Sequence, residues 1–223
     1  MHRRFDDELN ALKEKLVRMG TTAQTMTHLA IRALVERDEK YCQDVFRHEE
    51  TVNELNIVID EAVLKLIALR QPVAGDLRFL VMSTKIGSEL ERIADQAVNI
   101  CQNTHFLLQY PLLKPLIVTP LMADVVEGMV RDGLDSFVRR DAALARQVLE
   151  TDDKVDAFKD QIFRELLTYM MSDPDTVHRA LALILISRNL ERIGDHATNI
   201  AEDVIYVVGG KDVRHHHEEK KRG

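Results

Sequence analysis

The sequence contains an internal repeat, which restricts the possible folds more than any other feature. Residues 90–100 read LERIADQAVNI and residues 190–200 read LERIGDHATNI, so eight of eleven positions are identical at an offset of 100. A second match has an offset of 103. It pairs Met26, Val35, Arg37, Asp38, Val45 and Val52 with Met129, Val138, Arg140, Asp141, Val148 and Val155. The two offsets differ by three residues, and the change falls at the turn before each repeated motif. The repeat therefore predicts two similar units that arose from one duplicated segment.

Each unit is predicted to be helical. Apolar residues such as Leu9, Leu12, Leu16 and Met19 recur at three- and four-residue steps, the period of one helix face. Gly and Pro number only 9 and 5, and aromatic residues make up 5%, which favours long helices over strands. Six helices are predicted, near residues 4–35, 39–69, 76–108, 121–138, 142–171 and 174–208. The predicted fold class is all-α, with two similar three-helix bundles in tandem.

A proline-rich segment separates the two units. Pro111, Pro115 and Pro120 fall within ten residues, and proline cannot sit in the interior of a continuing helix. We therefore interpret residues 110–120 as a linker between a first bundle at 1–109 and a second bundle at 121–210. Residues 211–223 are charged and are predicted to form a flexible tail.

The composition disfavours several classes of protein. The formal net charge of −7 argues against a nucleic-acid partner, because phosphate neutralisation needs a basic surface. The longest aliphatic run, Ala180–Ile186, is far shorter than the roughly 20 residues that span a bilayer. No apolar stretch follows the basic residues near the N-terminus, as a secretory signal would require. We therefore expect a cytoplasmic protein that meets a membrane only through its partners.

The repeated motif places polar side chains along one helix face, since positions i, i+4 and i+8 lie roughly in line. They are Glu91, Asp95 and Asn99 in the first unit and Glu191, Asp195 and Asn199 in the second. The preceding helix adds Glu49 and Asn53 in the first unit and Asp152 and Asp156 in the second. If the two helices run antiparallel, both sets can converge on one side of the bundle. Oxygen ligands suit magnesium, calcium or manganese, and iron is also reasonable, so these ten residues are candidate metal ligands.

Structural ion pairing is the alternative interpretation of the same charges. No phosphate-cradling loop, dinucleotide fingerprint, HExxH motif or nucleophile elbow occurs, so we expect neither an enzyme nor an organic cofactor. A carboxylate-bridged metalloenzyme and a purely structural helical scaffold remain as alternatives. Chelation that abolishes turnover would indicate the first, and metal-free purified protein would indicate the second.

The motifs at 90–95 and 190–200 resemble the signature blocks of the PhoU family, which regulates phosphate-specific transport. Arg70–Arg78 resembles the inter-helix turn of that family in its first half, and Leu167–Met171 resembles the matching helix end in the second half. The resemblance extends over residues 5–213 or so. The combination of motifs is specific, whereas a single Glu-Arg-Ile-x-Asp motif would not be.

The resemblance implies two three-helix bundles, commonly in a homodimer, and a negative regulator of the phosphate-starvation response. The implied partners are the ATPase subunit of the phosphate ABC transporter and a membrane sensor histidine kinase. Members of the family can carry iron or zinc clusters on Glu/Asp-x-x-x-Asp motifs. In this chain the motif falls on Glu91 with Asp95, Glu191 with Asp195, and Asp152 with Asp156, while Glu49 is followed by Asn53. Asparagine is a neutral and weaker ligand, so the first site is expected to be the weaker one.

Overall fold

The computed structural model describes residues 2–209, and α-helices account for most of them. The helices are α1 (His2–Glu36), α2 (Lys40–Arg70), α3 (Ala74–Leu108), α4 (Val118–Arg139), α5 (Ala142–Ser172) and α6 (Val177–Gly209). Within residues 2–209 there is no strand, which confirms the all-α prediction. No helix in that range has an apolar stretch long enough to cross a membrane. The predicted tail at 211–223 lies outside the described residues.

The six helices form two bundles with equivalent cores. Helices α1, α2 and α3 pack on one another, and so do α4, α5 and α6. Met19 and Met26 of α1 are fully buried, and Met122 and Met129, 103 residues later in α4, are also buried. The apolar stripe that predicts each helix is therefore the stripe that fills each core.

The connection from the first to the second helix has the same conformation in both bundles. Arg37 and Arg140, at the ends of α1 and α4, have φ angles of 56° and 54°, in the left-handed region. The next residues start the following helix, since Asp38 accepts a hydrogen bond from the Lys40 amide and Asp141 accepts one from the Ala143 amide. Such aspartates satisfy amides that have no partner within the helix.

The connection from the second to the third helix differs between the bundles. The first bundle uses Gln71–Val73, with Gln71 left-handed at φ 46°. In the second bundle, Asp173 accepts a hydrogen bond from the Asp175 amide and starts the 3-10 turn Pro174–Thr176. An offset of 103 maps Arg70 onto Asp173 and an offset of 100 maps Ala74 onto Pro174. Gln71–Val73 therefore have no counterpart, which explains the change of offset within the repeat.

Two predicted helix starts differ from the structure by three residues, and the others agree to within two. Helix α6 was expected to begin at Pro174, but the α-helix begins at Val177, because the first turn is wound as a 3-10 helix. Helix α4 was expected near Leu121 but begins at Val118, so that Pro120 is its third residue. Proline is tolerated there because the first amides of a helix have no intrahelical acceptor.

The segment between α3 and α4 lies against the second bundle. Lys114 is buried, and its Nζ is 2.5 Å from Glu165 Oε2 of α5. Arg179 of α6 donates a hydrogen bond to the carbonyl of Pro111.

The bundles face each other through equivalent helices, α3 with α6 and α1 with α4. Lys85 Nζ in the first half of α3 is 2.7 Å from Asp203 Oδ1 near the end of α6, so these two helices run antiparallel. The rings of Phe79 in α3 and Phe137 in α4 stack with their centroids 4.7 Å apart. We call the α3–α6 contact the seam. It leaves α2 and α5 on opposite flanks, each beside the repeated motif of its own bundle.

Candidate functional site: two acidic grooves

Each bundle carries a groove where polar residues of its second helix face the repeated motif on its third helix. The second-helix positions correspond at an offset of 103 and the third-helix positions at an offset of 100. The first groove comprises Glu49, Asn53, Asn56, Glu91 and Asp95. The second groove comprises Asp152, Asp156, Lys159, Glu191 and Asp195. In each bundle the structure thus places acids of the second helix close enough to acids of the third helix to affect their pKa values.

A lysine links the two helices of the second groove. Lys159 Nζ lies 3.0 Å from Asp156 Oδ1 on its own helix and 2.9 Å from Glu191 Oε1 on α6. Burial disfavours the charge on Lys159, but the hydrogen bonds to Glu191 and Asp156 outweigh it and raise the lysine pKa above its usual value. The ammonium therefore neutralises part of the acidic charge and fixes the spacing of α5 and α6.

Lys159 does not neutralise all of the carboxylate charge near Asp195. Burial raises the pKa of Asp195 to about 6, with further contributions from the neighbouring carboxylates Glu191, Asp152 and Asp156. His196 acts in the opposite direction, but the sum remains well above the usual value for aspartate. The raised pKa means that ionisation of Asp195 is unfavourable in this groove.

An amide takes the place of the lysine in the first groove. Asn56, the counterpart of Lys159, donates a hydrogen bond of 2.6 Å to Glu91 Oε2. The side-chain oxygen of Asn56 is buried without a hydrogen-bond partner. A Cβ atom at Gly87 would approach that oxygen to 2.8 Å, so a side chain at this position of α3 would force the Asn56 amide to shift. The contact thus depends on the close approach of α2 to the α3 backbone.

The remaining acids of the first groove also influence one another. Burial raises the pKa of Glu49, and the charge of Asp95 raises it further. Burial likewise raises the pKa of Asp95. Asn53 is exposed on α2. The first groove thus carries three carboxylates, of which Glu49 and Asp95 repel each other, whereas the second groove carries four.

Asn199, at the end of the second stripe, is turned towards the seam. Asn199 donates a hydrogen bond of 3.1 Å to Glu89 of α3, and Asn99 is half-buried at the equivalent place on α3. The reason is helix geometry, because every fourth residue advances about 40° around the axis and the eighth about 80°. The stripe predicted as straight therefore drifts, and Asn199 contacts the other bundle instead of α5.

Glu89 is the centre of this polar cluster at the seam. Its Oε2 lies 2.8 Å from His196 Nδ1, and both side chains are largely buried. Burial alone would raise the pKa of Glu89, but the hydrogen bonds from His196 and Asn199 bring it below its usual value. The cluster ties α3 to α6 and adjoins both grooves, since the charge of His196 also lowers the pKa of Asp95 and of Asp195.

The second groove fits a hard cation in its donor chemistry. Its carboxylates supply the oxygen ligands that such ions prefer, and Glu191, Asp152 and Asp156 add to the effect of burial in raising the pKa of Asp195. In the part of the chain from residue 2 to 209, no three His, Cys, Asp or Glu side chains are arranged to hold one ion as they are placed. Cation binding would therefore require side-chain rotation, including displacement of the Lys159 ammonium. The ligand roles of the ten predicted residues stay a prediction.

Lys159 and Asn56 were not among the residues singled out from the sequence. A signal was present, since both lie one turn after the acidic pair of their helix and correspond at an offset of 103. A lysine with an acidic residue three positions earlier is common on helices, so that signal alone would not have distinguished a groove residue from an exposed one.

Comparison with known proteins identifies the family. The PhoU domain matches the chain twice, at residues 16–104 and at residues 119–204. The starts of the two matches differ by 103 and the ends by 100, the same offsets as in the repeat. The chain belongs to the PhoU family. Both grooves lie entirely within the matched segments.

Relatives and solved structures extend this similarity over the whole chain. A phosphate-specific transport system accessory protein PhoU homolog of Pseudomonas putida is 40% identical over 95% of this chain and 83% of its own. A protein of the same name in Aquifex aeolicus is 38% identical over 96% of this chain and 97% of its own. The crystal structure of PhoU from Pseudomonas aeruginosa, 37% identical, covers 93% of this chain and 100% of its own with a TM-score of 0.88. The tandem PhoU fold is thus shared with an experimentally solved member.

Replacing Asp195 with asparagine is expected to stabilise this PhoU-family protein at neutral pH in the presence of a chelator. The pKa of Asp195 is raised on folding, so its contribution to stability is present below about pH 4 and is lost as the pH rises through 6. For a fully buried group the shift would correspond to about 3 kcal/mol. The side chain of Asp195 also reaches solvent, which screens part of this effect, so we expect a gain on the order of 1 kcal/mol at pH 7 and almost none at pH 4. Urea denaturation followed by circular dichroism measures both values.

The matched control is Glu61→Gln, which removes an exposed carboxylate from α2, outside both grooves. This variant is expected to unfold with nearly the wild-type free energy at both pH values. Equal stability of wild type and Asp195→Asn at pH 7 would contradict the repulsion inferred in the second groove.

Proposed function

We propose that this protein is a regulatory adaptor of phosphate-specific transport. It represses the phosphate-starvation response and modulates the phosphate ABC transporter through protein contacts. The observation that carries the proposal is the full-length match to relatives named phosphate-specific transport system accessory proteins, with both PhoU domains present. Those relatives carry the name of a transport accessory protein and not of an enzyme. We place the protein in the cytoplasm, where it would meet membrane partners from the inner side.

Exposed apolar side chains at repeat-equivalent positions support an adaptor that works through protein contacts. On α2 and α5, Leu64 and Leu167 are exposed at an offset of 103. On α3 and α6, Val81 and Leu181 are exposed at an offset of 100, as are Leu77 and Val177. Exposed apolar groups of this kind are typical of protein-binding surfaces when they cluster. Helices α2 and α3 form one antiparallel hairpin, and α5 and α6 form the other. All six residues lie on these hairpins, towards the α2–α3 and α5–α6 connections.

The partners we propose are the ATPase subunit of the phosphate transporter and a phosphate-sensing histidine kinase. With ample phosphate, the adaptor bridges the two and holds the kinase in its non-signalling state. A chain with two similar hairpins can present one to each partner, or both to one partner that is itself a dimer. The homodimer that the family resemblance implies remains a prediction.

Aspartate at an exposed apolar position of a hairpin is expected to weaken capture of the ATPase subunit. Tagged wild-type protein should retain that subunit from phosphate-replete cells, whereas Val81→Asp or Leu181→Asp should retain it roughly tenfold less. A charge at either position would be desolvated in the complex, which is the reason for the loss. Quantitative mass spectrometry of the captured proteins gives the ratio.

The control variant is Val17→Asp, an exposed apolar position on α1 away from the hairpins. It should capture the ATPase subunit as well as wild type does. Capture of neither the ATPase subunit nor the kinase, together with unchanged phosphate-responsive transcripts in a deletion strain, would contradict the adaptor proposal.

We also propose that the second groove binds metal ions, with iron, zinc, manganese and magnesium as candidates. The carboxylates of Asp152, Asp156, Glu191 and Asp195 would supply the ligands, and a cation would neutralise the charge that raises the pKa of Asp195. The first groove has fewer carboxylates and is expected to bind more weakly. A bound ion would join α5 to α6 and stiffen the hairpin that carries Leu167 and Leu181.

Manganese is expected to raise the melting temperature of metal-free protein, and Lys159→Gln should increase the effect. The lysine ammonium competes with a cation for Asp156 and Glu191, so its removal strengthens binding. At a hundredfold excess over Kd, ligand binding stabilises by about 2.7 kcal/mol, which corresponds to about 5–10 °C for a chain of this size. Differential scanning fluorimetry after chelator treatment measures the shift.

Asp195→Ala should abolish most of the manganese-dependent shift, while the corresponding change in the first groove, Asp95→Ala, should leave most of it. An equal shift in all four proteins would contradict binding in the second groove.

A further inference from the structure

A pair of cysteines lies at the contact between α2 and α3, away from both grooves. Cys42 Sγ is 3.9 Å from the backbone carbonyl oxygen of Cys101, to which the Cys42 thiol donates a hydrogen bond. Both residues are reduced, and at most 2% of either is exposed. On the surface beside them, Glu39 Oε1 lies 2.7 Å from His105 Nδ1 and joins the same two helices.

The repeat shows what this position requires for packing alone. The counterparts of Cys42 and Cys101 in the second bundle are Ala145 and Ala201, both fully buried at the equivalent contact of α5 with α6. Alanine thus suffices to fill the same place in the same fold. The two sulfur atoms of the first bundle are therefore additional to what packing requires.

The environment of Cys42 favours its thiolate over that of Cys101. Cys42 lies in the first turn of α2, where the helix dipole favours negative charge. Interaction with the side chain of Cys101 lowers the pKa of Cys42, although burial and the charge of Glu39 oppose this effect. The interaction with Cys42 and burial both raise the pKa of Cys101. These directions favour Cys42 as the attacking sulfur and Cys101 as the resolving one.

We propose that Cys42 and Cys101 are a dithiol site that hydroperoxide converts to a reversible intramolecular disulfide between α2 and α3. The Cys42 thiolate attacks one peroxide oxygen, the O–O bond breaks, and the departing hydroxide takes up a proton to form water. Cys101 then attacks the sulfur of the Cys42 sulfenic acid, loses its thiol proton, and the S–O bond breaks to release a second water. Two thiols lose two electrons, and one peroxide gains them.

Access to the buried sulfurs requires only local opening. Cys42 is close to the short α1–α2 connection, and the first turn of a helix opens at a lower free energy than its interior. The disulfide would lie about two helical turns from Glu49 on α2 and from Asp95 on α3. It would therefore fix the two helices that form the first groove, while the second bundle, with alanines, has no equivalent bond.

The test uses the full-length protein treated with hydrogen peroxide under native conditions. Free thiols are then alkylated in denaturant and the intact mass is measured. The expected product has lost about 2 Da, is not alkylated, and returns to two alkylatable thiols after dithiothreitol. Peptide mapping should join Cys42 to Cys101. The oxidised protein should melt about 5–10 °C higher than the reduced protein, because the bond closes a long loop in the unfolded chain.

The control variants are Cys42→Ala and the double variant Cys42→Ala/Cys101→Ala, which the alanines of the second bundle indicate will fold. Peroxide should produce no intramolecular disulfide and no rise in melting temperature in either. Two alkylatable thiols in peroxide-treated wild type, separate oxygen addition to each sulfur, or disulfides only between chains would overturn the proposal. An unchanged melting temperature with the bond present would overturn the claim that it fastens α2 to α3.

Discussion

Repulsion between carboxylates that face one another across two helices is the constraint on which both grooves depend. The repeated motif places acids one turn apart on α3 and on α6, and the neighbouring helix of each bundle adds further oxygen atoms. Such a surface needs compensation, because like charges in a partly buried place destabilise the fold. The two bundles meet this requirement differently. The second groove has one more carboxylate than the first and also has Lys159, so both grooves carry the same formal charge.

The different compensation gives the two halves different properties within one architecture. Asn56 and Gly87 fix a close, neutral contact between α2 and α3, whereas Lys159 forms a charged link between α5 and α6. A cation can replace an ammonium more readily than an amide buried against the helix backbone. The second bundle is therefore the better candidate for metal binding, and the first is the one that carries the dithiol. The seam keeps both in one molecule through Glu89, His196 and the Lys85–Asp203 pair.

The fold was largely predictable because its strongest determinants are periodic. The helix-period stripes gave six helices, and the two offsets located the connection where the bundles differ. The errors lie at helix starts, where a proline in the first turn of α4 and a 3-10 turn before α6 depend on capping and not on periodicity. The convergence of the acids followed from the antiparallel hairpin. The position of Asn199 could not be predicted in the same way. The stripe drifts around the helix, and which neighbour Asn199 contacts depends on where the adjacent helices lie. The role of Lys159 could not be predicted for the same reason, since it depends on the position of Glu191 on another helix.

A double-mutant cycle between Asp152 on α5 and Asp195 on α6 tests the central claim most directly. Free energies of unfolding would be measured for wild type, Asp152→Asn, Asp195→Asn and the double variant, at neutral pH with a chelator. If carboxylates from the two helices share one groove, the gains should be less than additive by on the order of 0.5–1 kcal/mol, because the repulsion can be removed only once. Strict additivity would show that the two carboxylates do not sense each other, and would contradict the grooves as the organising feature of this fold.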